Sequence, residues 1–379
     1  MARGGVTRHE NPSTGARRIW PSESMQERLI LNAGGMLSSR TLVAVLLLIG
    51  ACRKPAPPAS EHAAQQPTTA TPAPTQSPTA ISHGEAAIGP PLTAPDRAAD
   101  APPPSKQRHQ VIRFVTAHVR HEVAPGVVYD AWTFDSMVPG PTLRLRVGDT
   151  LDFTLVNGAI MPHSMDFHAA EIAPDRAYRN VMPGDSIQFR FVARVPGVFM
   201  YHCGTAPVAA HISNGMYGAL IVDPPTPRAP AQEYVFVQSE FYMGPPAGKD
   251  SIRSMDWEKL LNASPDYVVF NGVASRYATH PIPVAERKPI RLYVVNAGPN
   301  RISSFHVVGA IFDRVVSDGF GRPFEGMQTW NVPVGGGAIF ELRLAEAGLY
   351  PFVTHAFADA TKGAVGVFQA GNAAGSVSH

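Results

Sequence analysis

A cysteine, two histidines and a methionine stand close together in the segment 201-YHCGTAPVAAHISNGM-216. Cys203 offers a soft thiolate, His211 an imidazole and Met216 a thioether, and His163 upstream would add a second imidazole. Two histidines, one cysteine and a weak axial methionine form the donor set of a blue-copper electron-transfer site. Zinc would favour more cysteines or a C-x-x-C spacing, which the chain lacks. We therefore predict a mononuclear copper site, with a structural cysteine beside incidental His and Met as the alternative.

A second metal-binding face is predicted on the other side of the same strands. His202 stands next to Cys203, and adjacent residues of a strand point to opposite faces. By the same parity, Asp166 and His168 point away from His163 if their segment is extended. Asp166, His168 and His202 would then share one face. The two metals would be joined through a single Cys–His peptide unit, on the order of 10–13 Å apart, which suits single-electron transfer.

This second face has only two imidazoles, and a catalytic metal typically has three protein ligands and one open position. The matching loop in the second half of the chain, 355-HAFADATKG-363, contains neither Cys nor Met, so that half has lost the blue-copper site. It keeps His306 and His355, and one of the two is the expected third ligand. Either could instead be a buried structural histidine.

Short runs of alternating polar and apolar residues, broken by Gly, Pro and Asn, begin near residue 109. Alternation with regular turn signals is typical of strands in a sandwich or barrel. The pattern also repeats, because 150-TLDFTLVNGAIMPHSMDFHAA-170 resembles 290-IRLYVVNAGPNRISSFHVVGA-310. In each copy a histidine follows a strand that ends in Asn. The sequence predicts an all-β protein of two tandem domains, with one short helix within 254–267.

Proline marks the expected domain boundaries. The stretch 223-DPPTPRAPAQ-232 is interpreted as the join, so the first domain spans 108–224 and the second 225–373. Residues 53–107 are rich in Pro, Ala, Thr and Ser and contain too few large apolar residues to form a core. We interpret them as a disordered tether that holds the folded part away from a membrane.

Residues 1–52 are interpreted as an N-terminal extension followed by a lipoprotein signal peptide. An apolar run at 42–49 follows a positive charge and is too short to span a bilayer permanently. It leads into LIGAC, which resembles a bacterial lipobox, so Cys52 is the predicted lipidation site. An ordinary signal peptide is the alternative. A signal that begins at Met36 suggests that residues 1–35 are an over-extended gene start.

Six segments carry a family resemblance: 138-VPGPTLRLRVGDT-150, 163-HSMDFHAA-170, 201-YHCGTAPVAAHISNGMYG-218, 268-VVFNG-272, 303-SSFHVVGAIFD-313 and 353-VTH-355. Over residues 110–372 the chain resembles the copper-containing nitrite reductases of denitrifying bacteria. The resemblance implies two cupredoxin-like Greek-key domains, two coppers per chain and a homotrimer. The short loop between Cys203 and His211 resembles the family branch that includes outer-membrane lipoproteins.

The resemblance also implies a role for each candidate residue. Asp166 and His306 match the catalytic pair, and Val308 matches an aliphatic residue that limits the room over the metal. The third type 2 ligand, His355, would come from a neighbouring subunit. The matching ligands are His163, Cys203, His211 and Met216 for the type 1 copper, and His168, His202 and His355 for the type 2 copper.

The activity that this implies is the conversion of nitrite, one electron and two protons to nitric oxide and water. Electrons would enter at the type 1 copper and pass through Cys203 and His202 to the type 2 copper. Asp166 and His306 would deliver the protons. A small cupredoxin or a c-type cytochrome is the expected donor. With the lipobox, this implies a periplasmic or cell-envelope protein that is lipid-anchored to a bacterial membrane.

Some features leave other functions open. The stretch 171-EIAPDRAYRNVMPGD-185 departs from the family pattern, so another small substrate is possible, although Glu171 as a solvated loop residue is the simpler interpretation. A two-domain laccase-like multicopper oxidase would need paired H-x-H motifs. A one-copper electron carrier would leave Asp166 and His306 unexplained. The net charge of +2, with 16% charged residues, gives no basic field for a nucleic-acid partner.

Overall fold

The computed structural model describes residues 99–318 and 321–372. The predicted signal peptide, the lipidation site Cys52 and residues 53–98 of the predicted tether lie outside these ranges. Within them, no helix combines the length and apolar character that crossing a bilayer requires. Strands dominate and each helix has only four to six residues, which confirms the predicted all-β class.

The first half of the described chain contains two four-stranded sheets that enclose one core. Its elements are β1 (His109–Ala124), β2 (Val127–Phe134), β3 (Leu143–Arg146), β4 (Thr150–Asn157), β5 (Asp166–Phe167), α1 (Pro174–Ala177), β6 (Ser186–Val192), β7 (Gly197–His202), α2 (Val208–Ser213) and β8 (Tyr217–Asp223). The sheet orders are β2-β1-β4-β6 and β3-β8-β7-β5. The pairs β1–β4 and β3–β8 are parallel and the others antiparallel. Phe153 of one sheet and Tyr201 of the other belong to this core, and both rings contact Phe167.

The second half repeats this arrangement with two five-stranded sheets. Its elements are β9 (Gln232–Phe241), α3 (Trp257–Leu261), β10 (Tyr267–Phe270), α4 (Arg276–Thr279), β11 (Ile282–Val284), β12 (Ile290–Gly298), β13 (Ser303–Val307), β14 (Arg314–Ser317), β15 (Thr329–Val332), β16 (Gly337–Leu342), β17 (Gly348–Thr354), α5 (Phe357–Ala360) and β18 (Val365–Ala370). The orders are β10-β9-β12-β16-β14 and β11-β18-β17-β13-β15. Here β9–β12 and β11–β18 are the parallel pairs, as β1–β4 and β3–β8 are in the first half. Helix α3 lies in the predicted stretch, whereas the other single-turn helices were not predicted.

Two buried asparagines show the repeat at atomic detail. In both copies the side-chain amide donates to two backbone carbonyls, and its oxygen accepts from the N–H two residues further on. The partners are Met161, Val181 and Ala159 for Asn157, and Arg301, Val332 and Gly298 for Asn296. Each asparagine therefore fixes the loop that leads from its strand to the histidine-bearing segment.

Strand β7 runs along the junction of the two halves, and this fixes where it ends at His202. The N–H of Val198 donates to the carbonyl of Asp318 at 2.9 Å. A Cβ on Gly197 would clash with Asp318 O, and one on Gly337 would clash with Val198 O, so both positions require glycine. Val198 and Met200 share one buried cluster with Val295 and Ile339 of the second half.

The C-terminal end of the predicted tether 53–107 is held by the folded region. The N–H of Ala101 donates to Glu233 O at 3.0 Å, and Pro102 O accepts from Arg144 Nη1 at 2.7 Å. These residues are therefore part of the folded region and not of a free tether. The tether was inferred from composition, which carries no signal for backbone pairing. The remaining domain boundaries stay predictions.

Replacing Asn157 with alanine removes four hydrogen bonds from a fully buried site, three with backbone groups and one with the Thr116 hydroxyl. Each stranded backbone group costs about 1–3 kcal/mol, so we expect the free energy of unfolding to fall by about 3 kcal/mol or more. Urea unfolding at a fixed protein concentration measures this. The exposed Asn262→Ala is the matched control and should stay within about 0.5 kcal/mol of wild type. A loss in Asn157→Ala no larger than the control's would contradict the role given to this amide.

Candidate metal centres

Three of the predicted blue-copper ligands converge in the interior of the first half. The Nδ1 atoms of His163 and His211 are 3.2 Å apart, and Cys203 Sγ lies 3.9 and 3.3 Å from them. All three side chains are buried. With metal bonds of about 2.0 Å to nitrogen and 2.3 Å to sulfur, the donors of a trigonal site would stand about 3.5–3.7 Å apart. The spacing and the soft donor set therefore fit copper.

The backbone holds these ligands in one small loop. Cys203 directly follows β7, and His211 lies in α2. Met216 N–H donates to His211 O, and Met216 O accepts from Cys203 N–H, both at 3.1 Å. The Met216 side chain is fully buried in the same core cluster as Cys203. His163 is fixed from the opposite side, since its N–H and C=O both pair with Val181.

The Cys203 sulfur is surrounded by hydrogen bonds that the sequence did not predict. Ser164 N–H donates to Cys203 Sγ at 3.3 Å. The Ser164 hydroxyl accepts from Gly204 N–H at 3.0 Å and lies 3.2 Å from Thr205 Oγ1, which is 3.0 Å from Asn180 Oδ1. Burial raises the pKa of the Cys203 thiol, while the bonds from Ser164 and Thr205 oppose that rise. Hydrogen bonds of this kind tune the potential of a copper–thiolate site.

Two further aromatic rings cover the imidazoles. Trp132 lies 5.0 Å from the His211 ring centroid, and His118 lies 5.8 Å from that of His163. His118 and Trp132 are stacked on each other as direct partners across β1 and β2. Burial lowers the pKa of His163 to about 3, with His211 and His118 adding to the shift. Burial and His118 lower the pKa of His211 to about 4. Both imidazoles are therefore neutral, as metal ligands must be.

The second predicted cluster lies on the other face of the same strands. Asp166 and His202 are direct partners across β5 and β7, so their side chains share a face. His202 Nε2 lies 3.1 Å from His168 Nε2 and 3.8 Å from Asp166 Oδ2. His202 is buried, Asp166 is partly buried and His168 is exposed. The parity prediction from the sequence agrees with this arrangement.

Backbone carbonyls fix the tautomers of these two histidines. His202 Nδ1 is 2.9 Å from Cys203 O, and His168 Nδ1 is 3.0 Å from Gly335 O. A carbonyl only accepts, so each Nδ1 carries the proton and each Nε2 lone pair faces the cluster. In the first cluster, His163 and His211 instead turn their Nδ1 atoms toward the Cys203 sulfur. Gly335 belongs to the second half and has a φ of +76°, and the sequence offered no sign of its role.

The two histidines of the second half form a separate pair. The His306 and His355 rings are 5.5 Å apart, and His306 Nδ1 is 2.6 Å from Gln328 O. His355 is exposed and Val308 half-buried. Among the described residues of this single chain, the groups that could hold a metal are the two clusters above, and neither includes His306 or His355. The chain does not bring its own His355 to His168 and His202.

The departing segment 171–185 contacts the surroundings of both clusters. Burial, with the nearby charge of Asp166, raises the pKa of Tyr178 to about 12, and the Tyr178 hydroxyl donates to Phe167 O. Asn180 bonds Thr205 beside the cysteine. Glu171 is exposed. The segment therefore supports both clusters, a role that the sequence did not reveal.

Comparisons with known proteins find copper-containing relatives. The family model described as multicopper oxidase matches residues 116–227. The chain is 38% identical over 270 residues to the copper-containing nitrite reductase of Neisseria gonorrhoeae, covering 69% of this chain and 68% of that protein. The solved copper nitrite reductase of Nitrosomonas europaea is 34% identical with a TM-score of 0.64, covering 70% and 95% of the two chains. That of Thermus scotoductus SA-01 is 33% identical with a TM-score of 0.63, covering 71% and 63%.

The low pKa values of His163 and His211 predict acid sensitivity of the copper-free protein. An unfolded histidine titrates near its ordinary pKa of about 6.5. Between there and pH 4 the unfolded chain gains protons that the folded chain does not, so folded stability falls as pH falls. Each histidine contributes up to about 1.4 kcal/mol per pH unit.

Urea unfolding of copper-free protein at pH 6, 5 and 4 measures this slope. His163→Gln and His211→Gln each remove one titrating group, so each variant should show a shallower fall than wild type. The exposed His280→Gln is the control and should keep the wild-type slope. Identical slopes in all four proteins would show that the buried imidazoles do not carry the effect.

Proposed function

The chain belongs to the copper-containing nitrite reductase family and reduces nitrite with copper; we propose that it uses two coppers per chain, one in each cluster, and releases nitric oxide. The observation that carries this proposal is that two metal-competent clusters lie on opposite faces of β7 and meet at the Cys203–His202 peptide. A carrier would need only the first cluster. A laccase-like trinuclear site would need more histidines together than either cluster contains.

We assign His163, Cys203, His211 and Met216 to the type 1 copper, and His168 and His202 to the type 2 copper. Bound copper supplies one-electron redox chemistry at the first site and an open position for nitrite at the second. The hydrogen bond from His202 Nδ1 to Cys203 O links the two residues a second time, in addition to the peptide bond that joins them. This supports Cys203 and His202 as the electron path.

Asp166 and His306 are the proposed proton donors. The Asp166 carboxylate belongs to the second cluster, and its side chain is 33% exposed, so it can exchange protons with solvent. The His306 Nδ1–H is held by Gln328 O, which leaves Nε2 available to hold and release the other proton. The reaction consumes two protons for each nitrite, and this pair supplies one each. Val308, two residues from His306, is proposed to limit the room for substrate.

We propose that His355 completes the type 2 site of a neighbouring subunit in a homotrimer. Its exposure and its distance from His168 within one chain support this, because an exposed histidine can reach another subunit. A closed head-to-tail ring places the second half of each chain against the first half of the next. His306 lies beside His355 and would enter the same shared site.

We also propose that the protein works in the bacterial periplasm or cell envelope, anchored through lipid at Cys52. The lipobox-like LIGAC sequence supports this anchor. A small cupredoxin or a c-type cytochrome is the proposed electron donor. Denitrification is the metabolic setting that a nitrite-to-nitric-oxide step serves.

Copper-loaded protein should contain two coppers per chain and release nitric oxide from nitrite anaerobically with a reduced artificial donor. Copper content and nitric oxide are measured on the same sample. In Asp166→Asn the side chain keeps its shape and cannot carry the proton, so turnover should fall by about 10²-fold or more while both coppers remain. The exposed Asp175→Asn is the control and should keep full turnover.

The outcomes separate the candidate functions. Two coppers without nitric oxide would move the activity to another small substrate, and four coppers per chain would favour the laccase-like alternative. One copper per chain would favour the electron-carrier alternative. Full turnover in Asp166→Asn would refute its role as proton donor.

A shared type 2 site predicts that two inactive variants rescue each other. His168→Ala and His355→Ala each break every type 2 site when expressed alone. In randomly mixed trimers about one quarter of the sites would pair an intact His168 with an intact His355 from the neighbour, so activity should return to about a quarter of wild type. If His355 served its own chain, co-expression would restore nothing. Trimers purified separately and then mixed without exchange are the control and should stay inactive.

A further inference from the structure

A cavity of about 160 Å³ lies where the linker between the two halves meets β3, the end of β8 and β9. It shares no residue with either histidine cluster. On the same measure a single water needs roughly 10–15 Å³, so the cavity has room for a polyatomic ion with its waters. Its charged lining residues are Arg144, Arg146, Arg228, Arg291, Asp223 and Glu233, and prolines and alanines of the linker form much of the remainder.

Two of the four arginines are fully engaged by carboxylates and backbone carbonyls. Arg144 makes a bidentate pair with Asp223, at 2.7 and 3.0 Å, and its Nη1 donates to Glu233 at 2.7 Å. Arg291 donates to the other oxygen of Glu233 at 2.6 Å and to Glu341 at 2.8 Å. Both oxygens of Asp223 and both of Glu233 are therefore already committed.

Arg228 is different, because its Nε is buried and has no hydrogen-bond partner. Its nearest carboxylate oxygen is Asp223 Oδ1 at 4.0 Å, which Arg144 already holds. The Arg228 side chain is only 16% exposed, so water compensates little of its charge. Burial, with the neighbouring charge of Arg291, lowers the pKa of Arg228. Burying a guanidinium whose nearest carboxylate is shared with Arg144 costs free energy, and an anion beside Arg228 would offset part of that cost.

The charges around the cavity do not balance. Four arginines line it, and the carboxylates that pair with them are Asp223, Glu233 and Glu341, which leaves one positive charge in excess. Arg146 adds its cation at the side of the cavity formed by β3. The guanidinium fork matches the oxygens of tetrahedral oxyanions and carboxylates, so the ligand chemistry is that of an oxyanion.

We propose that this cavity binds a small oxyanion of the phosphate class, with Arg228 as the principal donor and Arg146 as the second. The site would join four parts of the chain. Arg146 belongs to the first half, Arg228 to the linker and Arg291 to the second half, while the carbonyl of Pro102 ties the N-terminal segment to Arg144. A ligand that needs all of these in place binds only the folded arrangement and stabilises it.

Thermal unfolding of the copper-loaded full chain tests this site with inorganic phosphate as the probe. Sodium phosphate is titrated against sodium chloride at matched ionic strength, in a buffer without oxyanions. We expect phosphate to raise Tm saturably, by about 3 °C at ten times the half-saturating concentration, beyond any effect of chloride. Arg228→Gln should lose this response and Arg228→Lys should keep part of it. The exposed Arg343→Gln, whose partner Asp313 is also exposed, is the control and should respond as wild type does.

Crystals grown with selenate supply a second measurement that needs no variant. The anomalous selenium signal should lie beside Arg228. A signal only at the histidine clusters, or none, would overturn the proposal, as would equal Tm responses to phosphate and chloride. A full phosphate response in Arg228→Gln would place the anion elsewhere and overturn it too. Since none of these readouts uses nitrite turnover, the anion site and the reductase assignment can fail separately.

Discussion

The pleat of strand β7 is the constraint on which the two metal clusters depend. Adjacent side chains of a strand point to opposite faces, so His202 and Cys203 cannot serve one metal, and each belongs to its own cluster. Strand β7 must therefore end at a fixed position between the two core clusters that it contacts. Gly197 and Gly337 permit the close approach that anchors the strand against the second half. Asp166 of β5 pairs directly with His202, so its side chain lies on the same face.

The second half retains the scaffold of the first cluster without its ligands. In the first half, Ser164 N–H donates to Cys203 Sγ at 3.3 Å. In the second, Ser304 N–H donates to Thr354 Oγ1 at 3.1 Å. Thr354 is the last residue of the corresponding strand, β17, and Ser304 follows the loop that Asn296 holds. A threonine hydroxyl therefore accepts, in the second half, the backbone hydrogen bond that the cysteine sulfur accepts in the first.

The sequence predicted the sheets and the metal-binding donors where the type and spacing of side chains identify them. Alternation predicted the sheets, and the types and spacing of His163, Cys203 and His211 predicted a cluster that the chain assembles. Parity separated His202 from Cys203. The sequence was insufficient where the functional group is a backbone carbonyl, since Gly335 and Gln328 contribute only C=O groups, which every residue has. Asn180 was missed for a related reason, because its segment departs from the family pattern and its contact forms only after folding.

The bond between His168 and Gly335 O makes the second cluster depend on both halves of the chain. The ring that offers Nε2 to the second cluster is oriented by a carbonyl from the other half of the same polypeptide. Without the second half, the exposed His168 ring would lose the acceptor of its Nδ1–H and could rotate away from His202. The second cluster thus needs both halves of the chain, although Asp166, His168 and His202 all belong to the first half.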